Sequence, residues 1–244
     1  MTTLKILNYH NVAIPPAGAG LPKLYVTPER FAQQCHLLRR LGLRGVTISE
    51  GLEALWRGES GRCVALTFDD GYVDNLISAA PVLKEFGFRA TCYVVSGRVG
   101  MHNVWDAESL GVEKPLMDRA QLKIWLAGDH EIGSHTVTHA HLHRLSREAA
   151  RQEITASRTQ LRYLTGGAAI DHFCYPFGEY NDVTVELVRE AGYRSAVATL
   201  RGVATGASNA FQLPRISIHG QKGLFKFALK AATPYAGFGQ RRVA

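Results

Sequence analysis

Short apolar runs of β character alternate with longer helical stretches along this chain, and that alternation constrains its fold more than any other feature. LKILNY (4–9), GVTI (45–48), CVALTF (63–68), ATCYVV (90–95), HEIGSH (130–135), HFCYP (172–176), RSAVAT (194–199) and RISIH (215–219) read as strands. Between them, TPERFAQQCHLLRRLG opens with Thr27 as N-cap, Pro28 at N1 and Glu29 at N2. It closes with a basic turn and Gly42. SREAARQEITASRTQLRYLTGG is bounded in the same way by Ser146 and by Gly166 and Gly167. About eight strand–helix units predict parallel strands with crossover helices, hence a barrel or a doubly wound sheet. No GxGxxG opens a helix after the first strand, which argues against a dinucleotide fold. Residues 98–116 have the weakest periodicity and predict a long functional loop or insertion. With no internal repeat or clear linker, one domain over residues 1–244 is expected.

At 46% hydrophobic and 20% charged residues, the chain can bury a sizeable core. Asn8 and His10 interrupt the apolar character of the first residues, so no secretory leader is read there and a cytoplasmic location is expected. No stretch approaches the ~20 apolar residues of a membrane span. Cys35, Cys63, Cys92 and Cys174 form no CxxC pair and predict buried free thiols. The net charge of +7 is a C-terminal property: no acidic residue follows Glu190, whereas eight basic residues do. Such a segment could attract anionic partners or simply be a solvated face.

Two stretches carry chemistry-bearing residues. VALTFDDGYVDN (64–75) ends an apolar strand with Asp69, Asp70 and Gly71. GDHEIGSHTVTHAHLH (128–143) holds five histidines, with His135 and His139, and again His139 and His143, spaced i, i+4. That spacing puts two imidazoles on one face of a helical turn and leaves two candidate pairs. Two neutral imidazoles and one carboxylate make a three-ligand divalent-metal site with a position open for water. If the strand ends at a barrel rim, one aspartate can face the metal and the other the water. Taken alone, the pair better suits an aspartate capping the helix after Gly71.

TFDDG together with HEIGSHTVTH resembles the NodB-homology polysaccharide deacetylases, carbohydrate esterase family 4. FCYPFGEYND (173–182) is similar to that family's third motif and RISIHG (215–220) to its closing motif. The opening NYHNV is similar to members acting on poly-N-acetylglucosamine-type exopolysaccharides. The resemblance implies a distorted (β/α) barrel of seven or eight strands, an α/β fold. It implies one divalent metal ion, zinc foremost with cobalt, nickel or iron as alternatives, held by Asp70, His135 and His139. Asp69 then aligns with the catalytic base and His219 with the general acid. Phe177 supplies an oxyanion N–H, with Tyr175, Pro176 and Arg215 beside the substrate, and Ile216 and Ile218 help to form an acetyl pocket. The implied activity is hydrolysis of an N-acetyl group from an amino sugar in a polysaccharide, oligosaccharide or lipid- or nucleotide-linked precursor. An O-acetyl esterase or small-amide hydrolase with the same site, and a non-catalytic sugar-binding member, are the alternatives. The expected partner is an N-acetylated carbohydrate and not nucleic acid.

Two departures stand out. The family's third motif carries an arginine that orients the catalytic aspartate, and Cys174 stands in its place, with Arg215 as a candidate substitute. No carboxylate after Glu190 is available to tune the acid histidine. In the basic segment 220–244, Lys222, Lys226 and Lys230 fall four apart. They predict either a last barrel helix or a peripheral contact with an anionic membrane or a lipid-linked sugar.

Overall fold

A computed structural model describes residues 2–110, 112–220 and 222–233 of the chain. The expected basic segment after Thr233, with Arg241 and Arg242, lies outside the described residues. The strands are β1 (Thr3–Tyr9), β2 (Arg44–Val46), β3 (Cys63–Phe68), β4 (Thr91–Val94), β5 (Glu131–Ser134), β6 (His172–Cys174), β7 (Ser195–Arg201), β8 (Ala204–Thr205) and β9 (Leu213–Ser217). The helices are α1 (Pro28–Arg40), α2 (Ile48–Trp56), α3 (Ala80–Phe86), α4 (Val104–Leu110), α5 (Arg119–Ala127), α6 (Arg147–Thr165), α7 (Asp182–Glu190) and α8 (Leu224–Ala232).

Seven parallel strands close on themselves in the order β1, β3, β4, β5, β6, β7, β9 and back to β1. One edge of β3 is divided, its first residues pairing with β2 and its last with β4, which distorts the cylinder. β8 adds a short antiparallel pairing to the start of β1. This is the distorted (β/α) barrel that the motifs imply. Alternation along the strands sorts the side chains into two cores. Leu4, Ile6, Ala65, Tyr93, Cys174, Val197 and Leu213 cluster with Ile48, Leu52 and Leu55 of α2. The intervening residues, Leu7, Val64, Leu66, Phe68 and Phe173 among them, pack with the helices, including Phe31 of α1 and Ile154 of α6. Every residue of β3 is buried, which is why it reads as an unbroken apolar run.

The helix boundaries follow the capping chemistry. Thr27 and Ser146 cap α1 and α6 with their hydroxyls, and Gly166 ends α6 in the left-handed conformation. Three expectations are corrected. GVTI ends as a strand at Val46, because Thr47 and Glu50 form a reciprocal capping box that starts α2 at Ile48. Residues 98–116 are not a bare loop, since they contain α4. Neither Asp69 nor Asp70 caps the helix after Gly71: that segment begins with a π-turn at Asn75–Ala79 whose N-cap, Asp74, makes no side-chain cap bond. All four cysteines are buried and unpaired. No described helix is long and apolar enough to cross a membrane.

Candidate active site

The two aspartates are separated by the geometry of the strand end. Thr67 and Asp69 continue the inward alternation of β3, and Asp69 N–H extends the ladder by donating to Tyr9 O at 3.0 Å. Asp70 then adopts φ 76° and Gly71 φ 83°, which swings the second carboxylate to a different direction. A Cβ on Gly71 would also press on Val94 at 3.3 Å. Both carboxylates are buried.

Asp69 faces Arg215. The guanidinium grips it with two bonds, Nη1–Oδ1 at 2.7 Å and Nη2–Oδ2 at 2.8 Å, and also donates to Ala198 O, Thr67 Oγ1 and Cys174 Sγ. Burial raises the Asp69 pKa, but the charge and hydrogen bonds of Arg215 outweigh it and hold the carboxyl below its usual value. His10, from the opening NYHNV, approaches Asp69 Oδ2 at 3.9 Å. Arg215 thus occupies the charged contact that Cys174 cannot make, from a strand 146 residues along the chain.

Asp70 faces histidines. Its Oδ1 lies 3.4 Å from His135 Nε2 and 3.3 Å from His139 Nε2, and the three residues form one buried group within metal-binding reach. The i, i+4 spacing works here without a helix. His135 follows β5, and Thr136 and His139 adopt φ 67° and 63° in the loop behind it. A β-branched threonine in that region is strained, and the surroundings hold it. Thr136 Oγ1 accepts from His139 N–H at 2.9 Å, while Glu153 of α6 accepts from the N–H groups of Val137 and Thr138 at 2.9 Å.

This donor set fits a divalent ion. Donors spaced 3.3–3.4 Å match the edge of a tetrahedron with bonds of about 2.0–2.1 Å. His135 Nδ1 donates to Cys174 O at 2.8 Å, which leaves its Nε2 lone pair directed at the site. Among the described residues, buried His139 Nδ1 has no hydrogen-bond partner. Burial raises the Asp70 carboxyl, but the two imidazoles facing it hold it well below its usual value. Asp69, His135 and Cys174 also lie within ligand reach of one another. The double grip of Arg215 on Asp69 argues for the set on Asp70.

The remaining expected residues separate into two groups. Phe177 stands at the rim, 41% exposed, with φ 58°, its ring edge-on to His139 at 4.6 Å. Pro176 is buried and starts the tight turn that presents it, and Gly178 is required beside it because a Cβ there would meet Thr199 Oγ1 at 2.0 Å. Tyr175 is a correction: its side chain lies in the outer core and its hydroxyl donates to Phe211 O at 3.1 Å, so only its backbone borders the site. Ile216 and Ile218 likewise pack in the outer core with Phe227. His219 is half-buried after β9, in the wall of a cavity it shares with Arg215. Burial, then Lys230 and Lys222, push its pKa down to about 4.

Trp105, Asp106 and Glu179 join the surroundings of the centre without having been singled out from the sequence. Trp105 of α4 stacks on His139 at 4.4 Å and 16°. Asp106 accepts from Tyr72 OH at 3.2 Å, and burial and the Asp70 charge raise its pKa to about 6. His141 stacks on Phe177 at 3.8 Å and meets Glu179 at 2.6 Å, with His143 3.3 Å from the same carboxylate. His143 is therefore no partner of His139. Aperiodicity in 98–116 was the only local signal for Trp105 and Asp106.

Comparison with known proteins agrees with this architecture. The profile of the polysaccharide deacetylase family matches residues 57–196, more than half of the chain. YxkH of Bacillus subtilis (strain 168), a polysaccharide deacetylase by assignment only, is 28% identical over 218 residues, covering 88% of this chain and 71% of its own. The poly-beta-1,6-N-acetyl-D-glucosamine N-deacetylase of Staphylococcus aureus (strain MRSA252) is 25% identical over 198 residues, covering 79% and 67%. Among solved structures, the Streptococcus pyogenes deacetylase PplD in complex with acetate superposes with a TM-score of 0.79 at 25% identity, covering 96% of this chain and 99% of that one. With the aspartate pair, the histidine loop and the closed barrel all in place, this chain belongs to the polysaccharide deacetylase family.

Proposed function

We propose that the protein is a metal-dependent hydrolase that removes the N-acetyl group from an N-acetylated amino sugar of a polysaccharide or oligosaccharide. The observation that carries this reading is the division of the aspartate pair: Asp69 is locked on Arg215, and Asp70 converges with His135 and His139. The S. aureus relative, named for poly-beta-1,6-N-acetyl-D-glucosamine, supports the substrate class. Asp70, His135 and His139 would hold one divalent ion, zinc foremost, with cobalt, nickel or iron compatible with the same two nitrogens and one oxygen. Such an ion lowers the pKa of a bound water to about 7 and polarises a carbonyl.

The protein's own groups divide the remaining work. Arg215 keeps Asp69 ionised and fixes its direction, so that it accepts the proton of the attacking water. The Phe177 N–H hydrogen-bonds the developing oxyanion. His219 delivers a proton to the departing nitrogen. Trp105 and Phe177 flank His139 and shield the centre from bulk water.

Acetate release from β-1,6-linked N-acetylglucosamine oligomers and chito-oligomers, with zinc- or cobalt-loaded protein, tests the proposal. Asp69→Asn is expected to keep the metal and lose turnover, by about 10²–10⁴-fold, whereas Asp70→Ala loses both. Normal turnover by Asp69→Asn would overturn the base assignment. Acetate released only from O-acetylated sugars would make the enzyme an esterase.

A further inference from the structure

The pairing of β7 with β9 is irregular between Val197 and Arg201. Between these strand ends and α8 lies a cavity of about 510 Å³. Arg201, His219, Lys222, Lys226 and Lys230 line it, and none of the described lining residues is acidic. Lys230 is half-buried and donates to Ser217 O at 2.6 Å. Lys222 and Lys226 are exposed, and among the described residues neither enters an ion pair. Phe225, 77% exposed, and Leu229 add apolar surface to the same walls. Arg215, which holds Asp69, and His219, the proposed proton donor, both belong to the wall.

Like charges crowded around one cavity repel, and the cost grows where water is thinned. Burial, then Lys222 and Arg201, bring the Lys230 pKa down to about 8. In the catalytic cluster Asp69 has Arg215 and Asp70 has two imidazoles, whereas Lys222 and Lys226 face no carboxylate among the described lining residues.

We propose that this cavity binds a phosphoryl anion carried by the substrate beside its N-acetylated sugar. The proposal rests on the deacetylase reading and narrows its substrate class. Three lysine ammonium groups suit the several oxygens of a phosphoryl group, and the apolar wall formed by Phe225 and Leu229 suits the face of a sugar ring. A bound anion also offsets the lysine charges that deprotonate His219, which readies that residue to give up a proton during the reaction. The phosphoryl group could belong to a nucleoside diphosphate sugar or to a phosphodiester within a glycan. Both present the same chemistry.

Calorimetric titration of the zinc-loaded full chain with N-acetylglucosamine 1-phosphate and with N-acetylglucosamine is the direct test. The phosphorylated sugar is expected to bind about tenfold or more tightly. Lys222→Ala/Lys226→Ala removes that preference and Lys222→Arg/Lys226→Arg retains it, with the melting temperature and metal content of both variants unchanged. No preference in the wild type, or one that survives the alanine pair, overturns the proposal. Steady-state kinetics on a nucleoside diphosphate N-acetylhexosamine and on a glycan oligomer bearing a phosphodiester assign the source by which substrate shows the lower KM relative to a neutral oligomer. If neither does, the proposal is overturned. Failure of the deacetylase reading is distinguishable: no acetate would be released from any N-acetylated sugar, while the lysine-dependent preference would persist.

Discussion

The β3–β5 side and the β7–β9 side of the barrel mouth hold their charges in opposite ways. On the first side, Asp69 and Asp70 are buried, and each is matched within hydrogen-bond or ligand distance by groups of opposite or adaptable charge. On the second side, Lys222, Lys226 and Lys230 line a cavity with no carboxylate among its described lining residues. A compensated buried cluster is rigid, because displacing any member leaves another charge unpaired at a cost of several kcal/mol. An uncompensated rim is a place where a ligand can complete the electrostatics. In this reading the first side holds the chemistry, and the second chooses what is brought to it.

The strongest way to break that contrast is to remove a ligand from the compensated side. His139→Ala should abolish stoichiometric metal binding, measured by elemental analysis after dialysis, and with it acetate release. Metal content near one per chain would place the ion elsewhere. Arg215→Met comes next. Loss of the buried guanidinium strands Asp69, and a destabilisation of about 3–5 kcal/mol is expected in denaturant unfolding. Arg215→Met/Asp69→Asn should recover part of it, since a neutral pair no longer leaves a buried charge unpaired. Equal destabilisation by the single and double variants would show that Arg215 acts through packing alone.

A smaller effect is expected from Trp105→Ala. Removing the ring stacked on His139 should weaken metal affinity by about tenfold, the lower range for groups that orient ligands. A titration with a chromophoric chelator reads this directly, and unchanged affinity would reduce Trp105 to a substrate wall. A further effect concerns pH. His130 packs on Trp125 at 4.3 Å, and burial lowers its pKa to about 4. Above pH about 6.5 both folded and unfolded chains keep this histidine neutral. As pH falls from there, the unfolded chain takes up a proton that the folded site refuses until about pH 4, so stability declines across that window. His130→Gln should flatten this part of the stability–pH curve, with the metal-site contribution, lost at lower pH as the depressed aspartates protonate, left in place.

Much of the molecule was legible locally. The helix starts at Thr27 and Ser146, the glycine stop at Gly166 and the buried run of β3 all depend on residues within a turn or a strand of one another. The capping box at Thr47 was equally local, and it was overlooked because its apolar flank imitated a strand. The histidine loop was legible in membership but not in form. His135 and His139 meet through two left-handed residues and not on a helical face, since Glu153 of α6 and Thr136 pin the loop. Tyr175 shows the limit of motif reasoning: its place in the third motif said nothing of a side chain that points outward to Phe211.

By itself the sequence determined the alternation that calls for parallel strands with crossover helices, the strand that ends in two acids and the histidines able to share one ion. Each of these is written in periodicity or in neighbours a few residues apart. Only the tertiary structure decided what holds Asp69, which histidines turn to Glu179, and that the C-terminal lysines gather on a cavity beside His219. Those outcomes depend on closure of the barrel, which brings β9 beside β1 and carries Arg215 to an aspartate 146 residues earlier in the chain. No local pattern encodes such a contact, because its energy arises only once the intervening strands have paired and excluded water from both charges.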